Sequence, residues 1–183
     1  MESNPAEEIY QESNTAPQNP IGGGMNQNYA ILSESELAKK HKEFLNAIRT
    51  ENHDLIDDMI QKYQSTYDII NRVDPETGQT SIYLAAILNT DEASTRVSEK
   101  LVANGGNVRF KDNYSQSAFF HVAREGKPNL LQLYYTNGAD MNEQDGFKQT
   151  PLFYASRDGK TEAVRMMIEF GADVNIFGSY QMI

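Results

Sequence analysis

Leu37, His41, Phe44, Leu45 and Ile48 fall at the spacing of one helical stripe, and Leu55, Ile56, Met59, Ile60 and Tyr63 trace a second. Between them Arg49-Thr50-Glu51-Asn52-His53 is polar and reads as a turn. Ser33 followed by Glu36 predicts where the first helix starts, because each side chain can satisfy a backbone donor of the other. The far end of the chain repeats this pattern in a shorter form. Thr150-Pro151 supplies an N-cap and a first helical residue whose missing N–H costs nothing, and Leu152, Ala155 and Ser156 carry a short helix that Gly159 ends. Ala163, Val164, Met167, Ile168 and Phe170 predict a second helix, closed by Gly171 before Asp173-Val174-Asn175 enters an extended turn. The predicted unit is helix, turn, helix, then a projecting β-turn.

This unit recurs. Asp112 returns as Asp145, Ala123-Arg124 as Ser156-Arg157, Gly126-Lys127 as Gly159-Lys160, and Gly138-Ala139-Asp140-Met141-Asn142 as Gly171-Ala172-Asp173-Val174-Asn175, always 33 residues apart. A fixed period of that size signals stacked units, each unable to bury its apolar face alone. Thr150-Pro151-Leu152, Ala155, Gly159 and the run from Gly171 to Asn175 resemble the ankyrin repeat family. The repeat before is looser, with Ser117-Ala118 where the family has Thr-Pro and His121 one place later than the usual His. Gly78, Thr80, Ile82, Leu84-Ala85-Ala86 and Gly105-Gly106 look like a third copy. Thr80 to Ser117 spans 37 residues, so four extra residues are expected between that copy's helices, within Asn89 to Ser98. The helical stripes from Leu37 to Tyr63 are similar to a capping first repeat.

The resemblance implies an all-α fold, an α-solenoid of helix-turn-helix repeats with projecting β-turns. The repeats are expected at 33–73, 74–111, 112–144 and 145–178, with 179–183 opening an incomplete further turn or tail. Leu152 is expected to be buried between helices. The family carries Gly at the fourth position of its β-turn. Gly78 keeps it but Ser115 and Lys148 do not, which leaves the turn geometry of the last two fingers open, since a Cβ resists positive φ.

Charge and composition narrow the functions. The 183 residues hold 16 Lys plus Arg against 26 Asp plus Glu, a net charge of −10, which argues against nucleic acid and anionic membrane surfaces as partners. Residues 1–36 carry −6 of that charge, with no Lys or Arg. Residues 1–32 combine this acidity with Pro5, Pro17, Pro20 and Gly22-Gly23-Gly24, which predicts a disordered acidic tail preceding the repeats. Within it Tyr10 lies in an acidic run that reads as a solvated stretch, the alternatives being a short linear motif or a phosphorylatable tyrosine. There is no cysteine, no basic and apolar leader pattern at the start, and no apolar run of membrane-spanning length. The expectation is a soluble intracellular protein, cytoplasmic or nuclear.

No catalytic constellation stands out. His41, His53 and His121 lie in three different repeats without metal-ligand spacing, and each reads as structural, His121 through a hydrogen bond. Asp57-Asp58 reads as a solvated face. No catalytic, cofactor or metal site is expected. The resemblance implies that partners meet the β-turn tips and the concave face of the first helices. In this sequence those positions are Asn113, Tyr114, Gln116, Arg124 and Glu125, then Gly146, Phe147, Gln149, Arg157 and Asp158. Tyr114, Phe147 and Tyr180 repeat at intervals of 33, and aromatic and Arg side chains are the commonest binding hot spots. The expected function is a non-catalytic interaction module or scaffold for a protein or peptide. An alternative is the substrate-recognition or targeting part of a larger modifying enzyme. A third reading makes the stack itself a substrate, since Asn142 and Asn175 resemble ankyrin asparagines that oxygen-dependent hydroxylases modify. Residues Phe177 to Ile183 begin a further turn, so the last repeat is expected either to continue in a longer chain or to dock onto a partner or a second copy.

Overall fold

A computed structural model of the protein describes residues 31–176. The reading of residues 1–30 as a disordered tail, Tyr10 within it, Tyr180 and the further turn fall outside the described residues. Every element below belongs to the unit that begins at Leu32. Among the described residues eight helices follow in order: α1 Glu34–Arg49, α2 His53–Tyr67, α3 Ser81–Ala86, α4 Asp91–Ala103, α5 Ala118–Glu125, α6 Pro128–Thr136, α7 Pro151–Arg157 and α8 Thr161–Glu169. Among the described residues there is no strand, only an isolated bridge between Lys111 and Ser117. Consecutive helices pair. The first helices α1, α3, α5 and α7 pack in series, and the second helices α4, α6 and α8 form a parallel row of contacts.

Local chemistry places the helix starts. The Glu36 carboxylate accepts the Ser33 N–H at 2.9 Å and Ser33 Oγ accepts the Glu36 N–H at 3.4 Å, the reciprocal cap that the sequence predicts. Thr150 Oγ1 accepts the Phe153 N–H at 3.2 Å with Pro151 at the first helical position. All five residues of the first stripe are buried, Leu37, His41, Phe44, Leu45 and Ile48. In the second stripe Ile56, Met59 and Ile60 are buried while Leu55 and Tyr63 pack at its edge. The last stripe is narrower than expected. Ala163 and Met167 carry it, whereas Ile168 is 48% exposed, one residue's rotation off the buried arc. Leu152 lies in the core at 8% exposure. Leu152→Ala is expected to cost about 2 kcal/mol, the low end for a buried leucine, in a denaturant titration.

The four extra residues of the second repeat do not lie between its helices. Thr80 to Asp91, Ser117 to Pro128 and Thr150 to Thr161 are the same interval, so the connection is unchanged. Instead α4 has 13 residues where α6 and α8 have 9. About one extra turn, at ~3.6 residues, lengthens a helix while keeping its buried face in phase, whereas a longer connection would shift that face. The added length carries Lys100 to an ion pair with Asp57 on α2.

Polar groups tie one repeat to the next. Lys127, buried, donates to the carbonyls of Ala86 (2.7 Å) and Leu88 (2.5 Å) and to Ser94 Oγ (2.9 Å). Asp91 accepts the backbone N–H groups of Asn129 (3.0 Å) and Leu130 (3.1 Å) at the start of α6. Asn71 and Asn142 act as matched clips. Asn71 bridges Gly105 O (2.9 Å) and Asn107 N (2.8 Å), and Asn142 bridges Gly171 O (3.3 Å) and Asp173 N (2.7 Å).

Glu143, buried, accepts from the Ser117 hydroxyl and pairs with Lys111 Nζ at 3.4 Å. Burial pushes its carboxyl above the ordinary Glu value, against the opposing pull of Ser117 and Lys111. A raised folded-state value means the protonated acid favours the fold. That stability is fully present below the ordinary Glu range and is lost as pH rises through the raised value. Glu143→Gln is expected to flatten this part of the profile of thermal midpoint against pH.

Candidate interaction surface

Each finger is built on an aspartate. Asp112 N donates to Gln116 O (2.9 Å), while its carboxylate accepts Tyr114 N (2.8 Å) and Gln116 N (3.0 Å). Asp145 does the same with Gln149 O (3.0 Å), Phe147 N (2.8 Å) and Gln149 N (3.0 Å). These clamps decide the turn geometry. Ser115 and Lys148 sit at φ 60° and 62°, beside 69° for Gly78, so the last two fingers keep the left-handed residue despite its Cβ. The geometry is kept because four hydrogen bonds to one Asp, among them that of the Ser115 or Lys148 N–H to the Asp carbonyl (3.0 Å in each finger), hold the residue against a strain of about 1 kcal/mol. Adjacent fingers touch through their backbones. Gly146 N donates to Tyr114 O at 2.9 Å, and a Cβ on Gly78 would lie 3.0 Å from Asn113 Nδ2.

With the backbone held this way, the tip side chains are left outward. Tyr114 is 68% and Phe147 65% exposed, and Asn113 and Gly146 beside them are exposed too. Gln149 is half-buried at the base of its finger.

The helix face is more occupied than the sequence suggests. Tyr154, buried on α7, donates its hydroxyl to Asp145 Oδ2 at 2.7 Å, and Gln116 Nε2 donates to the same oxygen at 2.9 Å. Burial pushes Asp145 up, but the bonds from Tyr154, Gln116 and the backbone outweigh it and hold the carboxyl below its ordinary value. Burial and the neighbouring Asp145 raise the Tyr154 phenol. Both predicted arginines stack on this ring, Arg124 at 4.5 Å and Arg157 at 4.8 Å from its centroid. Arg157 also forms a two-point ion pair with Asp158, at 2.6 and 3.0 Å. Glu125 is exposed. Thus Gln116, Arg124 and Arg157 serve the stack as well as facing outward.

Tyr154 is the organising residue that sequence reasoning missed. Its signal was the spacing, an aromatic three residues before Arg157 and beside Phe153, whose ring meets it edge-on at 5.4 Å. His121 differs from expectation. Its ring packs against Tyr83 at 6.0 Å, and among the described residues it makes no hydrogen bond. Asn142 is engaged at both ends of its amide, whereas Asn175 is exposed and, among the described residues, bonds only within its own turn, to Asp173 (3.0 Å). Among the described residues no group of three or more His, Cys, Asp or Glu could hold a metal ion.

Residues 119–182 match a family model described as ankyrin repeats (3 copies). With the helix pairs and Asp-clamped fingers described above, that match supports an ankyrin repeat protein. Ankyrin repeats are as a class protein–protein interaction modules, typically non-catalytic. No curated protein matches the chain. Among the described residues no helix is long and apolar enough to cross a membrane.

Proposed function

We propose that the protein is a non-catalytic scaffold that binds a protein or peptide through the tips of its fingers and the adjoining concave helix face. The repeats concerned are 33–73, 74–111, 112–144 and 145–178 within a domain spanning 33–178. The observation that carries this reading is the pair Tyr114 and Phe147, two large apolar side chains 68% and 65% exposed at the same place in neighbouring fingers. Neither ring packs a helix, so its exposure brings no folding benefit, and two in register make a shared platform. Asn113, Gly146, Gln149, Glu125 and Asp158 form the polar rim of that platform, and Tyr180 continues the series. Arg124 and Arg157, each over the Tyr154 ring, lie beside the platform, where carboxylates or carbonyls of the partner would meet them. An intracellular location, cytoplasmic or nuclear, accompanies this reading.

The double variant Tyr114→Ala with Phe147→Ala tests it. Quantitative capture from the native cell, followed by titration of the retained partner, is expected to show binding weakened by at least about 2 kcal/mol. The folding free energy is expected to move by less than about 1 kcal/mol, since Gly146 holds Tyr114 by its carbonyl and not its ring. Intact binding would overturn the proposal, and equal losses of binding and stability would make both rings structural.

A further inference from the structure

The first repeat carries a second surface. A groove of about 300 Å³ runs between α1 and the first finger. Its α1 wall presents Lys39, Lys42 and Arg49, all exposed, and Arg72 enters from the other side. Arg72 is paired with Glu34, but Lys42 and Arg49 make no ion pair among the described residues. The facing carboxylates are Asp74 and Glu76, and Asp74 already accepts the Glu76 N–H at 2.9 Å. In a chain of net charge −10, such a gathering of cations on one groove creates a local field of the opposite sign.

The wall of this groove also holds an unsatisfied polar atom. His41 is 3% exposed, its Nε2 is buried, and among the described residues that nitrogen has no hydrogen-bond partner. A hydrogen bond with the Arg72 backbone holds the other edge of the ring. A buried polar atom left without a partner is costly, which makes it a marker for a missing ligand.

We propose that this groove binds an acidic peptide segment, with a carboxylate or phosphate side chain lying between Lys42, Arg49 and Arg72 and engaging His41 Nε2. Burial, then the Arg72 charge, holds His41 below its ordinary value, while Asp74 pulls the other way. The ring is therefore neutral at rest. An anion placed beside it, with Lys42 and Arg72 now neutralised, favours the charged form, so the ring takes a proton from solvent and donates it from Nε2. The groove is built from the first repeat and the first finger, separate from Tyr114 and Phe147, and either proposal can fail alone.

Fluorescence anisotropy on the full chain tests it with three labelled peptides, one Glu-rich, one with phosphoserine in place of Glu and one with Gln. The two acidic peptides are expected to bind and the Gln peptide to fail, and the stronger of the two identifies the preferred anion. Lys42→Gln with Arg49→Gln, both exposed and outside the core, is expected to weaken binding about 10-fold or more. Removing the same charge elsewhere, by Lys62→Gln with Arg165→Gln, is expected to leave it unchanged, as is the double tip variant. The ring-nitrogen resonances of His41 are expected to move from the neutral to the protonated pattern on binding. The proposal is overturned if no peptide binds, if the Gln peptide binds equally, if the two charge-removal pairs behave alike, or if binding leaves the His41 nitrogens unmoved.

Discussion

Replacing Lys127 with methionine is expected to lower the free energy of unfolding by about 3 kcal/mol in a denaturant titration. The methionine keeps most of the side-chain volume, so the loss isolates the ammonium. That group is the donor for two carbonyls at the end of α3, Ala86 and Leu88, at 2.7 and 2.5 Å. Ser94 Oγ reaches the same carbonyls only at 3.5 and 3.3 Å and cannot take over both. Burial holds the Lys127 amine below the ordinary lysine value, against the opposing pull of Glu125 and Asp91, so the charge itself carries a penalty. Lys160 stands 33 residues on, and among the described residues its ammonium makes no hydrogen bond or ion pair. Lys160→Met is therefore expected to cost less than about 1 kcal/mol. Equal effects at the two lysines would show that the carbonyls of α3 find other donors.

The second large effect is expected at Tyr134. Its ring is wholly buried, and its hydroxyl donates to Ile82 O at 3.1 Å and lies 3.2 Å from Ser98 Oγ. Tyr134→Ala is expected to cost about 4 kcal/mol, the range for removing a large buried ring. Tyr134→Phe keeps the packing and strands the Ile82 carbonyl and Ser98, for a loss of about 1 to 2 kcal/mol. Combining Tyr134→Phe with Ser98→Ala is expected to cost less than the two single losses together, because the two hydroxyls share one bond. Strict additivity would mean that they act independently.

The two lysines show why some features were legible in the sequence and others were not. Helix starts at Ser33 and Thr150 were readable because caps act within three or four residues, and the buried stripe from Leu37 to Ile48 because it follows helical spacing. The period of 33 exposed the repeats for the same reason. But Lys127 and Lys160 occupy equivalent positions, and only a contact some forty residues away separates them. Such contacts leave no local trace. The length of α4 was hidden differently, since an inserted turn preserves every spacing that marks a helix. At the tips, the exposure of Tyr114 and Phe147 followed from their place in the repeat. The part taken by Tyr154 did not, because it depends on Asp145 and two arginines converging from separate repeats.

The fingers owe their form to Asp112 and Asp145, which hold Ser115 and Lys148 in a conformation their side chains resist. The side chains of Tyr114 and Phe147, both exposed, carry no share of that task. Positions 114 and 147 are therefore the protein's alphabet rather than its grammar. A lineage or a designer can rewrite them, one finger at a time, to address a new partner without relearning how to fold.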